Sequence, residues 1–412
     1  KLKIFCWVGL FFFLIFQLLA QPDVLVLKGG QIITVTQGVI EEGTIVIKDG
    51  KIADIGKNIP IPEKSQIIDL STCTVLPGLI DSFTNLGTKE VEANEKDYDE
   101  STHPVMPHLR IIDAFNPENS FIPLARRHGI TAALSAPGEG NLLSGQSALI
   151  HLAGENTSDM VLQFPAAVHA SLGELPVMRY REKGQMPSTR MGAAALLRQT
   201  LVDAREYKRK LDDYQVKKEE QEKEITPPEA DLKLQSLIPV LERQLPLVVR
   251  ANRYDDVLTV LRIAEEFDLR IILNHGAEAY RVAETLASRN IPVLIGPFSS
   301  YYQQMETKNA EYTSAAELNR AGVQFAFQTG GVENVSTLLT QARTAVKYGL
   351  PKEAAYKGMT LYPAQIFGVD NIIGSLEKGK IADIVVFSGD PLQHIAEVKL
   401  VIIGGEIVEK EK

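Results

Sequence analysis

Three side chains of types that bind metal ions stand near the ends of predicted strands. His275 lies in the stretch LNHGAEAY, while His169 and Glu174 belong to or follow the apolar run near Ala166 to Ala170. Imidazoles and a carboxylate that converge on one divalent ion lower the pKa of bound water to about 7 and so supply hydroxide at neutral pH. If all three side chains point inward, they make a poor three-ligand site. The alternative is that His275 is only a hydrogen-bonded histidine at the rim of a pocket.

Other reaction chemistry has little support in the sequence. There is no Gly-x-Ser-x-Gly turn, so hydrolysis by an activated serine is not indicated. The glycine-rich stretch from Ala136 to Ala148 could receive an anion through its backbone amides. Loop geometry is the simpler reason for its glycines.

Length and charge limit the classes of protein. The chain of 412 residues is long enough for one large barrel or two ordinary domains, and its 45% hydrophobic and 23% charged residues are typical of a globular protein. Its net charge of -9 repels phosphate, so we expect no nucleic-acid partner.

The first residues have the pattern of an export signal. Lys1 and Lys3 precede an apolar run from Ile4 to Phe16, which predicts a signal peptide over residues 1–21 and a secreted or periplasmic protein without stable membrane insertion. A retained membrane anchor is the alternative, although the run is short of the roughly 20 residues that a span needs. Cleavage would remove Cys6 and leave Cys73 without a disulfide partner.

Both ends of the remaining chain are rich in short strands. Residues 22–78 include the pair Asp49-Gly50 between two apolar runs, which is a strong hairpin signal. Residues 369–412 turn on Gly404-Gly405 in the same way. We therefore predict a small β-sandwich built from both chain termini.

The middle of the chain, residues 79–368, alternates strand and helix patterns. Eight short apolar runs begin at Leu79, Gly129, Gln146, Ala166, Leu245, Leu269, Ile291 and Gly322. Strand and helix in alternation predict parallel β-α units, and eight units predict a TIM-like (β/α)8 barrel in an α/β protein. A doubly wound sheet is the competing interpretation, but the glycine-rich nucleotide fingerprint is missing.

A charged insertion near residues 191–235 interrupts this alternation. From Arg205 to Glu224, 14 of 20 residues are charged, seven of each sign. Apolar residues spaced three and four apart predict a long helix with a solvated face, ended by Pro227-Pro228. The segment is either a solvated insertion, a lid or a partner surface.

Several stretches resemble the amidohydrolase superfamily, and specifically its imidazolonepropionase-like branch. These are VLPGLID, YDDVLTVLRIAEEFDLRIILNHGAEAY and GSLEKGKIADIVVFSGDPL, and the resemblance covers nearly the whole mature chain. It implies one or two divalent metals, commonly zinc, in the barrel mouth, and hydrolysis of carbon–nitrogen bonds other than peptide bonds. Its expected ligands are His-x-His after strand one, a His after strands five and six, and an Asp after strand eight that also shuttles a proton.

The resemblance places those ligands on positions that mostly hold other residues. The expected positions are Phe83, Asn85, Asn252, His275 and Gly330, so one of five is kept. Phe83 cannot bind a metal, the amide oxygens of Asn85 and Asn252 suit calcium rather than zinc, and Gly330 removes the proton shuttle.

Two further positions follow from the same resemblance. His169 occupies the place of the strand-four residue, with Glu174 a few residues on. Arg250 stands where relatives often carry another histidine. Our hypothesis is that Arg250 replaces the lost cation electrostatically and binds a carboxylate.

Two functions follow from the sequence. The first is a weakly active protein or pseudoenzyme that binds a small molecule or an active relative, with its metal lost or weakly held. The second is an active hydrolase of cyclic amides or amino acid derivatives that uses a rearranged metal site. Pairing into a homodimer is compatible with both.

Overall fold

The computed structural model describes residues 24–90, 96–220, 226–393 and 395–411. The predicted signal peptide lies outside these ranges. Within them, no helix combines the length and the apolar character needed to cross a membrane.

Sixteen strands are present among the described residues: β1 Val24–Ile33, β2 Val39–Lys48, β3 Lys51–Gly56, β4 Gln66–Asp69, β5 Thr74–Pro77, β6 Leu79–Thr84, β7 Ile130–Ser135, β8 Leu143–His151, β9 Val161–Ser171, β10 Leu247–Ala251, β11 Ile271–His275, β12 Val293–Ile295, β13 Phe325–Phe327, β14 Ile384–Phe387, β15 Val398–Ile403 and β16 Glu406–Lys410. The α-helices in the same ranges are α1 Phe121–Arg127, α2 Thr157–Met160, α3 Glu174–Glu182, α4 Arg190–Glu219, α5 Leu232–Gln235, α6 Ile238–Leu241, α7 Tyr254–Phe267, α8 Ala283–Ser288, α9 Ser314–Arg320, α10 Leu338–Lys347, α11 Lys352–Met359 and α12 Leu361–Ile366.

The strands from the two chain ends form one sheet of their own, in the order β16-β15-β14-β5-β1-β2-β3, with β4 beside β1. Asp49 and Gly50 turn β2 into β3 with φ of 51° and 74°, the left-handed conformation that an Asp-Gly hairpin uses. The predicted β unit from both termini is confirmed. Its strands form one continuous sheet because β5 pairs with β1 on one side and with β14 on the other.

Strands β6 to β13 form the barrel and follow one another around it in chain order. Where β6 meets β13, the Ser82 hydroxyl donates to the carbonyl oxygen of Phe327 at 2.7 Å. The amide of Gly330 donates to the carbonyl oxygen of Phe83 at 3.1 Å. The sheet is therefore nearly closed, and the predicted α/β barrel is confirmed.

One barrel strand runs against the direction that the eightfold β-α pattern predicts. β8 is antiparallel to both β7 and β9. Only residues 136–142 join β7 to β8, and a parallel neighbour needs a crossover of a dozen or more residues. This short connection lies at the mouth of the barrel, where Ala136 to Gly140 line the cavity described below.

An apolar layer in the barrel lies beneath a polar one. Val248 and Ile272 belong to the hydrophobic cluster inside the barrel. Because side chains two apart on a strand face the same way, Arg250 and Asn274 follow them on the inner face nearer the mouth. Both polar side chains are buried, so the mouth of the barrel is lined by groups that need hydrogen-bond partners.

The charged insertion forms the long helix α4, which ends at Glu219, before the two prolines. Leu197, Leu201, Ala204 and Tyr207 are its buried stripe. The last turns, beyond Tyr207, carry only half-buried or exposed side chains, so the first half of the helix holds it against the barrel.

Candidate ligand site at the barrel mouth

A cavity of about 810 Å³ opens at the mouth of the barrel. Its walls come from the carboxyl ends of strands and the loops that follow them: Phe83 at the end of β6, Asn85 just after it, Gly138 to Gly140 after β7, and Gly330 after β13. Helix α3 adds Leu175, Met178 and Arg179. This end of a barrel is where loops from different strands can bring side chains together.

Three of the five expected ligand positions line this cavity, namely Phe83, Asn85 and Gly330. The Asn85 side-chain oxygen accepts from the Val332 amide at 2.9 Å. Asn252 is buried, and its side-chain oxygen accepts from the backbone of a turn, the Ala277 amide, at 3.3 Å. Both asparagine oxygens therefore support loops.

The carboxylate of Glu139 is the centre of the site, and sequence reasoning missed it. Its Oε2 lies 2.8 Å from Nε2 of His275, and its Oε1 accepts from the Asn274 side-chain amide at 2.7 Å. The guanidinium of Arg250 stands 3.5 Å from Oε2. Glu139 lies in the glycine-rich loop that we expected to present backbone amides, so this loop brings a carboxylate to the pocket instead of an anion-binding backbone.

The glycines on either side of Glu139 are required by an ion pair. Arg179 binds Asp99 through two hydrogen bonds of 2.8 and 2.6 Å. A Cβ atom on Gly138 would lie 2.6 Å from an Asp99 oxygen, and one on Gly140 would lie 2.0 Å from the Arg179 guanidinium carbon. A side chain at either position would therefore have to displace this ion pair. The triplet Gly-Glu-Gly was the one sequence signal that could have pointed to Glu139.

A left-handed turn brings two successive side chains to the same carboxylate. His275 has φ of 65°, an uncommon value for a residue with a side chain. Neighbouring residues of a regular strand point to opposite faces. The turn at His275 breaks that alternation, so that Asn274 and His275 both reach Glu139. Backbone strain of this kind is often found at functional sites.

Arg250 lies between two carboxylates of the protein itself. Besides Glu139, it donates to Glu306 at 3.1 Å, and Glu306 also accepts from Arg190 at 3.0 Å. The backbone amide of Glu174 donates to Glu306 as well. Arg250 thus binds carboxylates as hypothesised, but both are internal. Glu174 contributes its backbone here and does not line the cavity.

His169 lies behind the ring of Phe83. The centroid of the Phe83 ring is 5.7 Å from that of His169 and 6.1 Å from that of His275, so the phenyl ring stands beside both imidazoles. Burial lowers the pKa of His169 to about 3, although the charge of Glu139 opposes this. His169 is therefore neutral at physiological pH.

The environment keeps Glu139 ionised. Burial by itself raises the pKa of the carboxyl, but the charge and hydrogen bond of His275 and the charge of Arg250 outweigh burial and lower it below the ordinary value. The cavity wall consequently carries a carboxylate beside the permanently charged guanidinium of Arg250.

Asp81 is a second carboxyl that sequence reasoning missed. It is fully buried, and it accepts hydrogen bonds from the amide and the hydroxyl of Thr329 at 2.9 and 2.5 Å. Burial raises its pKa to about 7, against the effect of these bonds. Asp81 ties β6 to the residues after β13, where the barrel closes.

The solved structure of an amidohydrolase from Thermotoga maritima MSB8 matches this fold closely. It superposes with a TM-score of 0.89 and 33% sequence identity, over 94% of this chain and 100% of the other. The chain belongs to the amidohydrolase superfamily. The Amidohydrolase family model also matches residues 253–408.

Two further similarities show how widely this amidohydrolase fold extends. Amidohydrolase tasK from Hapsidospora irregularis is 24% identical over 375 residues. That match takes in 85% of this chain, which spans only 38% of the length of that relative. A prolidase structure complexed with N-methylphosphonate-L-proline has a TM-score of 0.61 at 16% identity, over 94% of this chain and 100% of the other, which shows the fold alone.

The side chains of this member of the superfamily do not fit the superfamily's metal set. Phe83 puts a phenyl ring where an imidazole is expected, and Arg250 puts a permanent positive charge beside His275 and Glu139. An Asp at Gly330 would bring its Cβ within 2.8 Å of Pro297. In the part of the chain that the structure describes, no three His, Cys, Asp or Glu side chains are placed to hold a metal ion.

Proposed function

We propose that this amidohydrolase-superfamily protein is a pseudoenzyme that binds a small molecule in the barrel mouth without a divalent metal. One observation carries the proposal: the guanidinium of Arg250 stands 3.5 Å from Glu139 and 3.1 Å from Glu306. These carboxylates are the groups that could otherwise attract a cation. Arg250 lies between them, and Arg190 also binds Glu306, so the two carboxylates face two guanidinium groups.

Electrostatics favours this interpretation over a weakened metal site. A divalent ion near Glu139 and His275 would also lie near Arg250, whose side chain is only 5% exposed and is always charged. Repulsion between cations is strong where water is excluded. Without the ion there is no metal-bound water of lowered pKa, and at Gly330 there is no carboxylate to move its proton.

Equilibrium metal binding tests the proposal. We would treat the full chain with chelator, remove the chelator, and titrate zinc, manganese and calcium into it by isothermal titration calorimetry. We expect no stoichiometric binding. Binding of one equivalent of any of the three with micromolar or better affinity would overturn the proposal.

A second candidate is an active hydrolase of carbon–nitrogen bonds, as the sequence also suggested. The pair of Glu139, which lines the cavity, and His275, 2.8 Å away, favours it. A carboxylate that orients an imidazole allows the imidazole to accept a proton from an attacking water. If this candidate holds, hydrolysis of cyclic amides or amino acid derivatives persists in chelator and is abolished by Glu139→Gln.

Location and partners remain proposals as well. The basic and apolar pattern of residues 1–21 supports secretion or export to the periplasm, and N-terminal sequencing of the exported protein would test it. Membership of the imidazolonepropionase-like branch and pairing with a second copy or an active relative are likewise proposed. Light scattering of the purified chain, alone and mixed with the relative, would test the pairing.

A further inference from the structure

A second cavity, of about 630 Å³, lies along helix α10 and shares no lining residue with the cavity at the barrel mouth. Phe298 after β12 and Leu392 after β14 form part of its wall, and most of the remaining lining comes from α10 and the residues at its two ends, between Thr337 and Tyr348. This volume is within the range of small-molecule sites. The side chains along α10 therefore decide which ligand would fit.

The second cavity is positively charged, although the chain as a whole carries a net charge of -9. Arg343 and Lys347 line it, and none of the described residues that line it is Asp or Glu. In the sequence around α10, residues 334–352 contain no acidic side chain either. A concentration of positive charge at a cavity of an acidic protein attracts anions.

The two cations lie close together on one face of the helix. Arg343 and Lys347 are four residues apart on α10, and like charges at this spacing repel and destabilise a helix. Arg343 donates to the carbonyl oxygens of Pro391 and Ala396 at 2.8 and 3.3 Å, which are neutral groups. Nζ of Lys347 lies 6.0 Å from the centroid of the Tyr348 ring. An anion between the two cations would remove their repulsion and gain charge-assisted hydrogen bonds.

The surroundings of Arg343 do not offset its charge. Arg343 is half-buried, and burial lowers the pKa of its guanidinium, while the charge of Asp390 opposes this as the weaker effect. Asp390 is itself bound by Lys352 and Tyr356. Charges that are withdrawn from water are normally paired, so a bound anion would supply the partner that Arg343 lacks among the described residues.

Aromatic rings form the other side of the second cavity. The rings of Tyr312 and Tyr348 are stacked, with centroids 5.1 Å apart and planes at 29°. The ring of Phe298 meets Tyr312 edge-on at 5.9 Å. All three residues line the cavity, and Tyr348 is 41% exposed. Since aromatic rings favour stacked and edge-to-face neighbours, the ring of a ligand can join this cluster.

We propose that the second cavity binds a small aromatic anion, a flat ring that carries one carboxylate or phosphate group. The ring contacts Tyr312 and Tyr348, and the anionic group binds Arg343 and Lys347. The site is separate from the barrel mouth, so the inference does not depend on the function proposed above.

Probes that differ in one property at a time test the inference. Affinities for the full chain are measured by ligand-observed NMR titration for phenylacetate, phenyl phosphate, the neutral phenylacetamide and the non-aromatic cyclohexylacetate. We expect the tighter of the two aromatic anions to bind about tenfold more tightly than the amide and about threefold more tightly than cyclohexylacetate. The ranking of phenylacetate and phenyl phosphate identifies the anionic group. Equal or tighter binding of the amide or of cyclohexylacetate, or no binding of either aromatic anion, overturns the inference.

A pair of lysine variants locates the binding. Lys347→Gln removes one of the two cations with little risk to the fold, because Lys347 is exposed. It should weaken the tighter aromatic anion roughly 3- to 10-fold. Lys218→Gln is the matched control, since Lys218 is exposed in the last turn of α4 as Lys347 is in the last turn of α10. Equal affinities in these two variants, or an equal loss in Lys183→Gln at the barrel mouth, would place binding elsewhere and overturn the inference.

Discussion

Nε2 of His275 lies 2.8 Å from Oε2 of Glu139, a residue that lines the cavity. His275 is the one expected metal ligand that the sequence keeps, and in the structure it is bound to a carboxylate from the loop after β7. Arg250 contacts the same carboxylate oxygen. A cluster of protein side chains thus stands where the superfamily would place its metal ligands.

Removal of Glu139 should destabilise the fold. Glu139→Ala leaves Arg250 with Glu306 as its only carboxylate and leaves the Asn274 amide without an acceptor. We expect a loss of about 3 kcal/mol in the free energy of unfolding, as for other buried pairs that lose one partner. Glu182→Ala on the exposed rim is the control, and it should change the free energy of unfolding by less than about 0.5 kcal/mol. Equal urea midpoints for the two variants would contradict the central role of Glu139.

The glycines beside Glu139 should resist substitution. In Gly140→Ala the new methyl group would overlap the Arg179 guanidinium, so the guanidinium must shift from its position beside Asp99. We expect a loss of about 2 kcal/mol, typical of overpacking. Gly389→Ala is the matched control, since nothing lies within 4 Å of its added Cβ. The thermal unfolding midpoint of Gly140→Ala should be clearly lower than that of Gly389→Ala. Similar midpoints would mean that the Asp99–Arg179 ion pair does not constrain the loop.

The stability of the barrel should depend on the protonation of Asp81. Its pKa rises from 3.8 to about 7 on folding, so folding favours the protonated carboxyl. The stabilisation that this proton provides is complete below pH 3.8 and is lost as the pH rises through about 7.

The variant Asp81→Asn tests this dependence, because Asn keeps an acceptor for the Thr329 amide. We expect the variant to gain stability relative to the wild type as the pH rises from 5 to about 8, the window that the raised pKa defines. Asp97→Asn, on the exposed surface, is the control. The free energy of unfolding would be measured for both proteins at each pH. If the difference between Asp81→Asn and the wild type stays constant across this range, the pKa of Asp81 does not change on folding.

Exchange of Arg250 for histidine should create affinity for zinc. Arg250→His removes the fixed positive charge and adds a third possible ligand beside His275 and Glu139. We expect zinc to bind at least roughly tenfold more tightly than to the wild type, since repulsion is removed and an imidazole is gained. Arg253→His, an equal exchange at a half-exposed position outside the cavity, is the control. No difference between the two variants would mean that Arg250 does not exclude the metal.

Much of the fold could be predicted because its signals are local. Asp49-Gly50 and the alternation of strand and helix patterns are read from neighbouring residues. The prediction that β8 runs parallel to its neighbours was wrong, because an apolar run carries no information about strand direction. The short connection of residues 136–142 contained that information, since it cannot cross the barrel.

The site could be predicted only in outline. Phe83, Asn85 and Gly330 were recognised by their place in a known pattern, and they do line the cavity. Glu139 and Glu306 could not be found in this way, because their partners His275 and Arg250 are distant in sequence and meet them only after the barrel closes. The glycines around Glu139 pointed to loop geometry, and only the position of Arg179 and Asp99 shows why they are needed.

The metal content of the protein as it is made in cells tests the central claim most directly. The full chain would be purified without chelator and its metals counted by plasma mass spectrometry, together with the protein concentration. We expect zinc, iron, manganese and calcium each well below one ion per chain. One tightly held ion per chain, lost only on prolonged chelation, would contradict the proposal that the side chains of Arg250, Glu139 and His275 stand in place of the metal.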